Sequence, residues 1–157
     1  MMDTVELKLA TRSDAETIWN MQKIAFSQLL DKYKDFDTNP AAEIFETITA
    51  RFEQPWNTYY FIVSENKNVG AIRVVDKKDG SRKRIAPIFI MEEHRNKGYA
   101  TAAINILEQI YGSNHWCLET ILQEPGNLYL YEKLGYHKTG RVDNINERMD
   151  LIFYEKN

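Results

Sequence analysis

The stretch from residue 83 to residue 111 limits the fold most, because its hydrophobic pattern changes from that of a strand to that of a helix. Residues 83–91 form a short apolar run, which predicts a strand. Residues 98–111 carry apolar side chains at helical spacing, and Gly112 predicts the end of that helix. The turn between them contains Arg95 and Lys97. The chain is therefore predicted to place a long helix directly after a strand and a basic turn.

The start of this helix is chemically suited to an anion. The first amides of a helix have no partner within it, and the helix dipole adds positive character there. Gly98 lets the backbone approach a ligand closely, and Arg95 and Lys97 add charge. The pattern predicts a diphosphate site, although the residues alone fit a tight turn with solvated charges equally well.

The rest of the chain predicts a mixed sheet with helices on both faces. Pro87 lies within the predicted fourth strand, and because proline cannot donate to a sheet ladder it marks either an edge strand or a bulge. The predicted element order is β-α-α-β-β-β-α-β-α-β-β, an α/β (α+β) fold in a single domain over residues 1–157. The strands are predicted at 5–9, 59–64, 69–75, 83–91, 116–122, 136–141 and 149–155. The first helix is predicted to follow a cap at Thr11 or Ser13 and to run to about residue 30, and the other helices are predicted at 40–52, 98–111 and 126–134.

Charge and composition argue against several classes of partner. The net charge is −3, which gives no bulk attraction to nucleic acid. No apolar run approaches the roughly 20 residues of a membrane span, and residues 1–6 lack the basic and apolar regions of a signal peptide. The one cysteine, Cys117, is interpreted as a small core residue and fits a reducing compartment. A cytoplasmic location is expected.

Two segments resemble the GNAT family of N-acetyltransferases. Residues 95–100, Arg-Asn-Lys-Gly-Tyr-Ala, resemble the family's pyrophosphate-binding motif Arg/Gln-x-x-Gly-x-Gly/Ala. Residues 130–136, Leu-Tyr-Glu-Lys-Leu-Gly-Tyr, resemble the family's Leu-Tyr-Glu-Lys-Leu-Gly-Phe, with Tyr136 in place of the phenylalanine. Residues 7–15 and the order of the elements are also similar to the family. The resemblance therefore covers nearly the whole chain.

The resemblance implies the GNAT fold, with about seven strands, about four helices and a sheet splayed between the fourth and fifth strands. It implies acetyl-CoA as cosubstrate, and no pair of histidines or acids has metal-ligand spacing, so no metal is expected. The backbone amide of Ile90 would stabilise the oxyanion. By the same resemblance, the cofactor's diphosphate and pantetheine arm would contact Ile88, Phe89, Ile90, Arg95, Asn96, Lys97, Gly98, Tyr99 and Ala100.

The implied reaction is direct attack of a primary amine on the thioester in a ternary complex. Tyr131 matches the family tyrosine that protonates the departing thiolate, and it would also contact the cofactor. Many members carry a glutamate base on the fourth strand, but residues 85–90 contain no carboxylate. The candidates for the base are Glu119, which ranks first because it lies beside the splay, and His94, Asp35 and Tyr33.

Two further assignments follow from the resemblance. The family asparagine seven residues before the tyrosine is Glu124 here, and Asn127 either takes over the cofactor contact or caps the helix. The loop at residues 33–39 would border the acceptor pocket, where Tyr33 and Asp35 would suit a cationic amine. An ordinary polar connection explains the same loop.

The sequence thus predicts an N-acetyltransferase that uses acetyl-CoA. The alternative is a catalytically weak or inactive acyl-CoA-binding module of the same fold. The acceptor stays open among polyamines, amino-sugar antibiotics, amino acids and protein N-termini, because a fold does not fix a substrate. Neither nucleic acid nor a membrane is an expected partner, and a homodimer is compatible with the family.

Overall fold

The computed structural model describes residues 4–157, and residues 1–3, part of the segment predicted not to be a signal peptide, lie outside this range. The described chain forms one seven-stranded sheet in the order β1-β2-β3-β4-β5-β7-β6. The strands are β1 (Val5–Leu9), β2 (Asn57–Ser64), β3 (Lys67–Val75), β4 (Lys83–Ile90), β5 (Trp116–Ile121), β6 (His137–Asn146) and β7 (Met149–Lys156). The helices are α1 (Ala15–Tyr33), α2 (Phe45–Phe52), α3 (Tyr99–Tyr111) and α4 (Pro125–Lys133).

The sheet opens between its two central strands. All neighbouring strands are antiparallel except β4 and β5, which run parallel. These two strands pair only at Lys83 with Trp116 and at Arg84 with Cys117. Beyond Arg84 they are no longer paired, which confirms the predicted splay and leaves one edge of β4 without a strand partner.

A bulge in β4 lies just beyond the last pair with β5. Ala86 and Pro87 together stand opposite the single residue Arg73 of β3. Since β4 is an internal strand, the bulge is the correct one of the two interpretations of Pro87. A bulge bends its strand and increases the local twist. It therefore explains why β4 turns away from β5 at this point.

Helices cover both faces of the sheet, as the sequence predicts. On one face α3 packs Ala103, Ile104 and Leu107 against Trp116 and the neighbouring strands. On the other face α1 and α2 pack against β2 around Ile18, Ile48, Tyr59 and Phe61. No helix among residues 4–157 is long and apolar enough to cross a membrane.

The second helix starts later than predicted. Pro40 begins a single 3₁₀ turn, Pro40–Ala42, and Asn39 caps this turn by accepting a hydrogen bond from the Ala41 amide at 2.7 Å. Glu43 then has an extended backbone, so α2 begins only at Phe45. The reason is tertiary: the Glu43 carbonyl accepts from Trp19 of α1 at 2.9 Å, which holds the chain out of a helical path.

Two other boundaries also differ from the prediction. Helix α1 continues to Tyr33 rather than residue 30, and Lys34 ends it in the left-handed conformation with φ 56°. Strand β6 continues to Asn146 rather than residue 141. Pairing with β7 holds residues 142–146 extended although their polar composition is typical of a loop.

Because β3 and β4 pack closely at Gly70, any side chain at this position is predicted to destabilise the fold. A Cβ built at Gly70 would lie 2.1 Å from the Phe89 carbonyl oxygen, a backbone atom that cannot rotate away. Gly70→Ala is expected to lower the free energy of unfolding by about 1–3 kcal/mol, measured by urea denaturation. Gly126→Ala is the control, because nothing lies within 4 Å of its Cβ position. Equal urea midpoints for the two variants would contradict the packing.

Candidate active site

A cleft of about 750 Å³ occupies the gap between β4 and β5. It runs from the start of α3, past α4, to the side of the sheet covered by α1 and α2. Its walls come from the unpaired edge of β4, from residues of β3, β5 and β7, and from residues of α1, α2, α3 and α4. The sequence-predicted residues therefore meet at one place, and the structure gives several of their side chains unexpected partners.

The turn before α3 presents backbone amides to this cleft. Asn96 and Gly98 both have positive φ, 64° and 80°. Gly98 is the N-cap of α3, and its carbonyl accepts the helical hydrogen bond from Ala102 at 3.1 Å. The amides at the start of a helix have no partner within it, and nothing lies within 4 Å of a Cβ built at Gly98. The turn thus forms an open concave surface suited to an anion.

The Arg95 side chain lines the cleft, but it is bound to two carbonyl groups of the protein. Its Nε donates to the Ile90 carbonyl at 2.8 Å, and its Nη2 donates to the Ala25 carbonyl of α1 at 2.9 Å. The sequence predicts that the Arg95 guanidinium adds charge at the diphosphate. In the structure, the Arg95 guanidinium instead holds the turn against β4 and α1, while Lys97 is exposed.

The free edge of β4 directs alternate amides into the cleft. Met91 donates its amide to the Val69 carbonyl in β3 at 2.8 Å. Because hydrogen-bonding directions alternate along a strand, the amides of Ile88 and Ile90 point away from β3 and into the gap. Phe89 differs, since its backbone faces Ala71 and its ring packs 5.7 Å from that of Phe26.

Tyr131 lies on α4 in the cleft wall and is only 8% exposed. Its ring contacts those of Tyr136 and Tyr154 at centroid distances of 6.0 and 6.4 Å. Its hydroxyl makes no hydrogen bond to any of residues 4–157. Burial raises the pKa of Tyr131 to about 12, so the phenol keeps its proton at neutral pH. It is a neutral hydrogen-bond donor facing the cleft.

Asn127 fastens α4 to β5 rather than capping the helix. Its Nδ2 donates to the Thr120 hydroxyl at 3.1 Å, and α4 has no side-chain cap at its start. Both residues line the cleft. The helix-cap alternative is therefore wrong, and Asn127 stays a candidate for cofactor contact through its amide oxygen.

Tyr33 does not line the cleft. Its hydroxyl donates a short hydrogen bond to Glu124, which also accepts from Lys32 at 2.9 Å. Burial raises the pKa of Tyr33, and the bond to Glu124 adds to this effect. Burial alone would raise the pKa of Glu124, but the hydrogen bonds from Tyr33 and Lys32 outweigh it and lower that pKa. These contacts join the end of α1 to the start of α4.

Asp35 is buried in the cleft wall with both oxygens occupied. One oxygen accepts from the amides of Asp37 at 3.2 Å and Thr38 at 2.9 Å, and the other accepts a short bond from the Thr38 hydroxyl. Asp35 therefore shapes its own loop. The structure does not support the prediction that its carboxylate is free to meet an amine.

Glu119 lines the cleft as predicted, but it is not a free carboxylate. Arg84 binds both of its oxygens, one of them through Nε at 3.1 Å. The other candidate base, His94, also lines the cleft and has no side-chain hydrogen bond or ion pair with the described residues. Within residues 4–157, no group of three or more His, Cys, Asp or Glu side chains is placed to hold a metal ion.

The sequence reasoning missed the arginines of the α1–α2 side of the cleft. Arg51, Arg73 and Arg84 line it together with Glu43 and Glu119. The available signal was Arg73, a charged residue inside the otherwise apolar run of β3. A charge in such a run is buried, and a buried charge requires a partner or a function.

Comparisons with known proteins agree on the family. The family model of the Acetyltransferase (GNAT) family matches residues 18–136. A spermidine N-acetyltransferase from Vibrio cholerae, solved with CoA and spermine, has a TM-score of 0.74 and 21% identity, covering 96% of this chain and 93% of that one. No curated protein sequence matches the chain.

Two further solved structures are similar at 13% identity. One is an acetyltransferase from Salmonella typhimurium that modifies the N-terminal serine of ribosomal protein L7/L12, with TM-score 0.74, covering 96% of this chain and 93% of that one. The other is an acetyltransferase from Thermus thermophilus, with TM-score 0.70, covering 96% and 95%. At these identities the likeness shows the fold alone.

The bonds of Arg95 predict a structural cost when its side chain is lost. Arg95→Met removes the hydrogen bonds that its guanidinium donates to the carbonyls of Ile90 and Ala25, which is expected to cost about 1–3 kcal/mol of unfolding free energy. Urea denaturation measures this loss. The control is Arg12→Met, which removes an exposed pair with Glu53. A loss no greater than that of the control would show that Arg95 does not hold the turn.

The contacts of Glu124 predict a pH-dependent stability. Because its folded-state pKa is lowered, the carboxylate stabilises the fold above its ordinary value of 4.5 and loses this contribution as the pH falls. Glu124→Gln is expected to lower the urea midpoint at neutral pH, and this difference should shrink toward acidic pH. Glu147→Gln, at an exposed position, is the control. A difference that is constant with pH would contradict the assignment.

Proposed function

The chain belongs to the GNAT family of acetyltransferases, and on that premise we propose that it transfers the acetyl group of acetyl-CoA to a primary amine. The observation that supports the proposal is a continuous cleft with two surfaces, one suited to the diphosphate of the cofactor and one suited to its pantetheine arm. The amide turn at Gly98 lies at one end, and the free edge of β4 with Ile88 and Ile90 lies alongside. The solved relatives named above act on a polyamine and on a protein N-terminus, and both acceptors are amines.

The residues of the cleft fit acetyl-CoA. The amides from Asn96 to Ala100 suit its diphosphate, because helix-start amides favour an anion and Gly98 leaves the approach open. The amides of Ile88 and Ile90 suit the pantetheine arm, which carries amide groups and can extend a sheet edge. The thioester then lies near the bulge, where β4 turns away from β5.

In the proposed reaction the amine nitrogen attacks the acetyl carbonyl carbon. A carbon–nitrogen bond forms, the carbon–sulfur bond breaks, and the proton lost by the amine passes through water to the Tyr131 oxygen, where it replaces the proton that Tyr131 gives to the thiolate. The oxyanion accepts a hydrogen bond from the Ile88 amide, the free amide of β4 nearest the bulge, rather than from the Ile90 amide that the sequence predicts. The Tyr131 hydroxyl, whose pKa burial raises to about 12, donates a hydrogen bond to the leaving thiolate, and its proton follows as the carbon–sulfur bond breaks.

Glu119 receives a different role from the predicted one. A carboxylate whose two oxygens are bound to a guanidinium has its lone pairs engaged and is a poor proton acceptor. We therefore assign Glu119 to the ion pair that positions Arg84 in the cleft wall. This occupied carboxylate is also the observation that favours the second candidate, an acyl-CoA-binding module without turnover.

A CoA-release assay over amines of several classes tests the proposal. The wild type is expected to release CoA with at least one amine. Tyr131→Phe is expected to lower kcat by about 10²-fold or more, because the leaving thiolate loses its donor. The matched control is Tyr129→Phe, two residues earlier on α4 and 71% exposed, which should keep the wild-type rate.

Three results would count against this account. Tight binding of acetyl-CoA without release by any amine would support the binding module. A wild-type rate in Tyr131→Phe would remove Tyr131 from the proton transfer. Equal losses in the Tyr131 and Tyr129 variants would show that the effect comes from α4 as a whole.

A further inference from the structure

Arg73 is a buried cation with no acidic partner in the described chain. It lies in the middle of β3 and is 8% exposed. Its Nη1 donates to the Asn57 side chain at 2.6 Å, but its Nε is buried without a partner. Its Nη2 makes no hydrogen bond, and no carboxylate within residues 4–157 lies within ion-pair distance. Most of the five N–H donors of the Arg73 guanidinium therefore make no hydrogen bond within the described chain.

The Arg73 side chain lies on the α1–α2 side of the sheet and lines the cleft. Side chains alternate along a strand, so Arg73 shares a face with Ala71. Ala71 packs against Ala25 of α1, which fixes that face. The bulge of β4 stands opposite Arg73 and places it at the mouth of the gap between β4 and β5. Arg73 is therefore near the proposed thioester position, on the side away from α3.

The carboxylates near Arg73 do not neutralise its positive charge, because they pair with other arginines. Arg51 binds Glu43 at 2.5 Å, and Arg84 binds Glu119, so each of these arginines has its own glutamate. Burial, with repulsion from Arg51, lowers the pKa of Arg73 to about 10.

Asp35 does not restore the balance, although it lines the same cleft. Its carboxylate is satisfied by the two amides and the hydroxyl of its own loop. One unpaired positive charge therefore remains at Arg73.

An unpaired buried charge is costly, and a ligand that pairs with it gains binding free energy. The flat guanidinium matches a carboxylate through two parallel hydrogen bonds. A doubly charged phosphate would meet the nearby carboxylates of Glu43 and Glu119. A single negative charge matches Arg73, the one cation among Arg51, Arg73 and Arg84 without a glutamate partner. A polyamine would bring further positive charge toward Arg73.

We propose that the acceptor is an amine that also bears a carboxylate, of the free amino acid class, and that Arg73 binds this carboxylate. The inference rests on the proposed acetyl transfer and narrows its acceptor. The carboxylate would bind at Arg73 on the α1–α2 side, and the amine would then face the gap at the bulge.

A binding comparison tests the carboxylate site without requiring turnover. With CoA present, calorimetry measures the binding of N-acetylated amino acids and of their primary amides. The panel includes the glycine, alanine, leucine and phenylalanine derivatives. The wild type is expected to bind the best free acid about tenfold or more tightly than its amide, because charged hydrogen bonds are lost with the carboxylate. This comparison needs no variant, so it stands even if a substitution at Arg73 unfolds the protein.

Variants then assign the preference to a residue. Arg73→Gln is expected to remove the preference for the acid, and Arg73→Lys should keep part of it because the charge remains. Arg141→Gln is the control, since Arg141 is exposed on the far strand β6, where it pairs with Asp143 and lies over the Phe153 ring. CoA affinity should be unchanged in all three.

Each outcome decides one of the two proposals. Equal binding of acids and amides in the wild type, or a preference that survives Arg73→Gln, overturns the carboxylate site. Release of CoA by polyamines but not by amino acids overturns it as well and leaves acetyl transfer standing. An acid preference that depends on Arg73, without CoA release by any amine, supports the carboxylate site and refutes acetyl transfer.

Discussion

The bulge at Ala86 and Pro87 is the constraint on which the site depends. It follows directly after the last pair between β4 and β5, and it turns β4 away from its neighbour. The sheet is thereby opened at its centre instead of at an edge, and β4 keeps its pairing with β3. The opening exposes alternate amides of β4, admits α4 with Tyr131 to one wall, and leaves Arg73 facing the gap. A regular pairing of β4 with β5 would remove all three features at once.

Much of the fold could be predicted from the sequence, because its elements follow local patterns. The alternation in β1, the helical spacing in α3 and the glycine at its start all act within a few residues, and the structure has these elements where the patterns place them. The exceptions depend on distant contacts. Pro40 begins only a 3₁₀ turn because Trp19 of α1 holds the Glu43 carbonyl, and no local signal reveals that contact.

The site could be predicted less well than the fold, and sequence separation explains why. The two sequence motifs correctly predicted that Tyr131 and the turn at Gly98 line the same cleft. It could not show that Arg95 would bind the Ala25 carbonyl 70 residues away, or that Arg84 would occupy Glu119 across 35 residues. These partners decide which charges are free. Among the described residues the predicted acids Asp35 and Glu119 are engaged, whereas Arg73, which the motifs do not include, has no carboxylate partner.

We propose that the cleft between β4 and β5 binds the cofactor through backbone amides. Amide NMR spectra recorded during a titration with CoA test it most directly. We expect the largest changes in chemical shift at residues 96–101, Ile88 and Ile90, with small changes in α2 and in β1. Large changes confined to α2 or to the outer strands, with residues 96–101 unaffected, would contradict it.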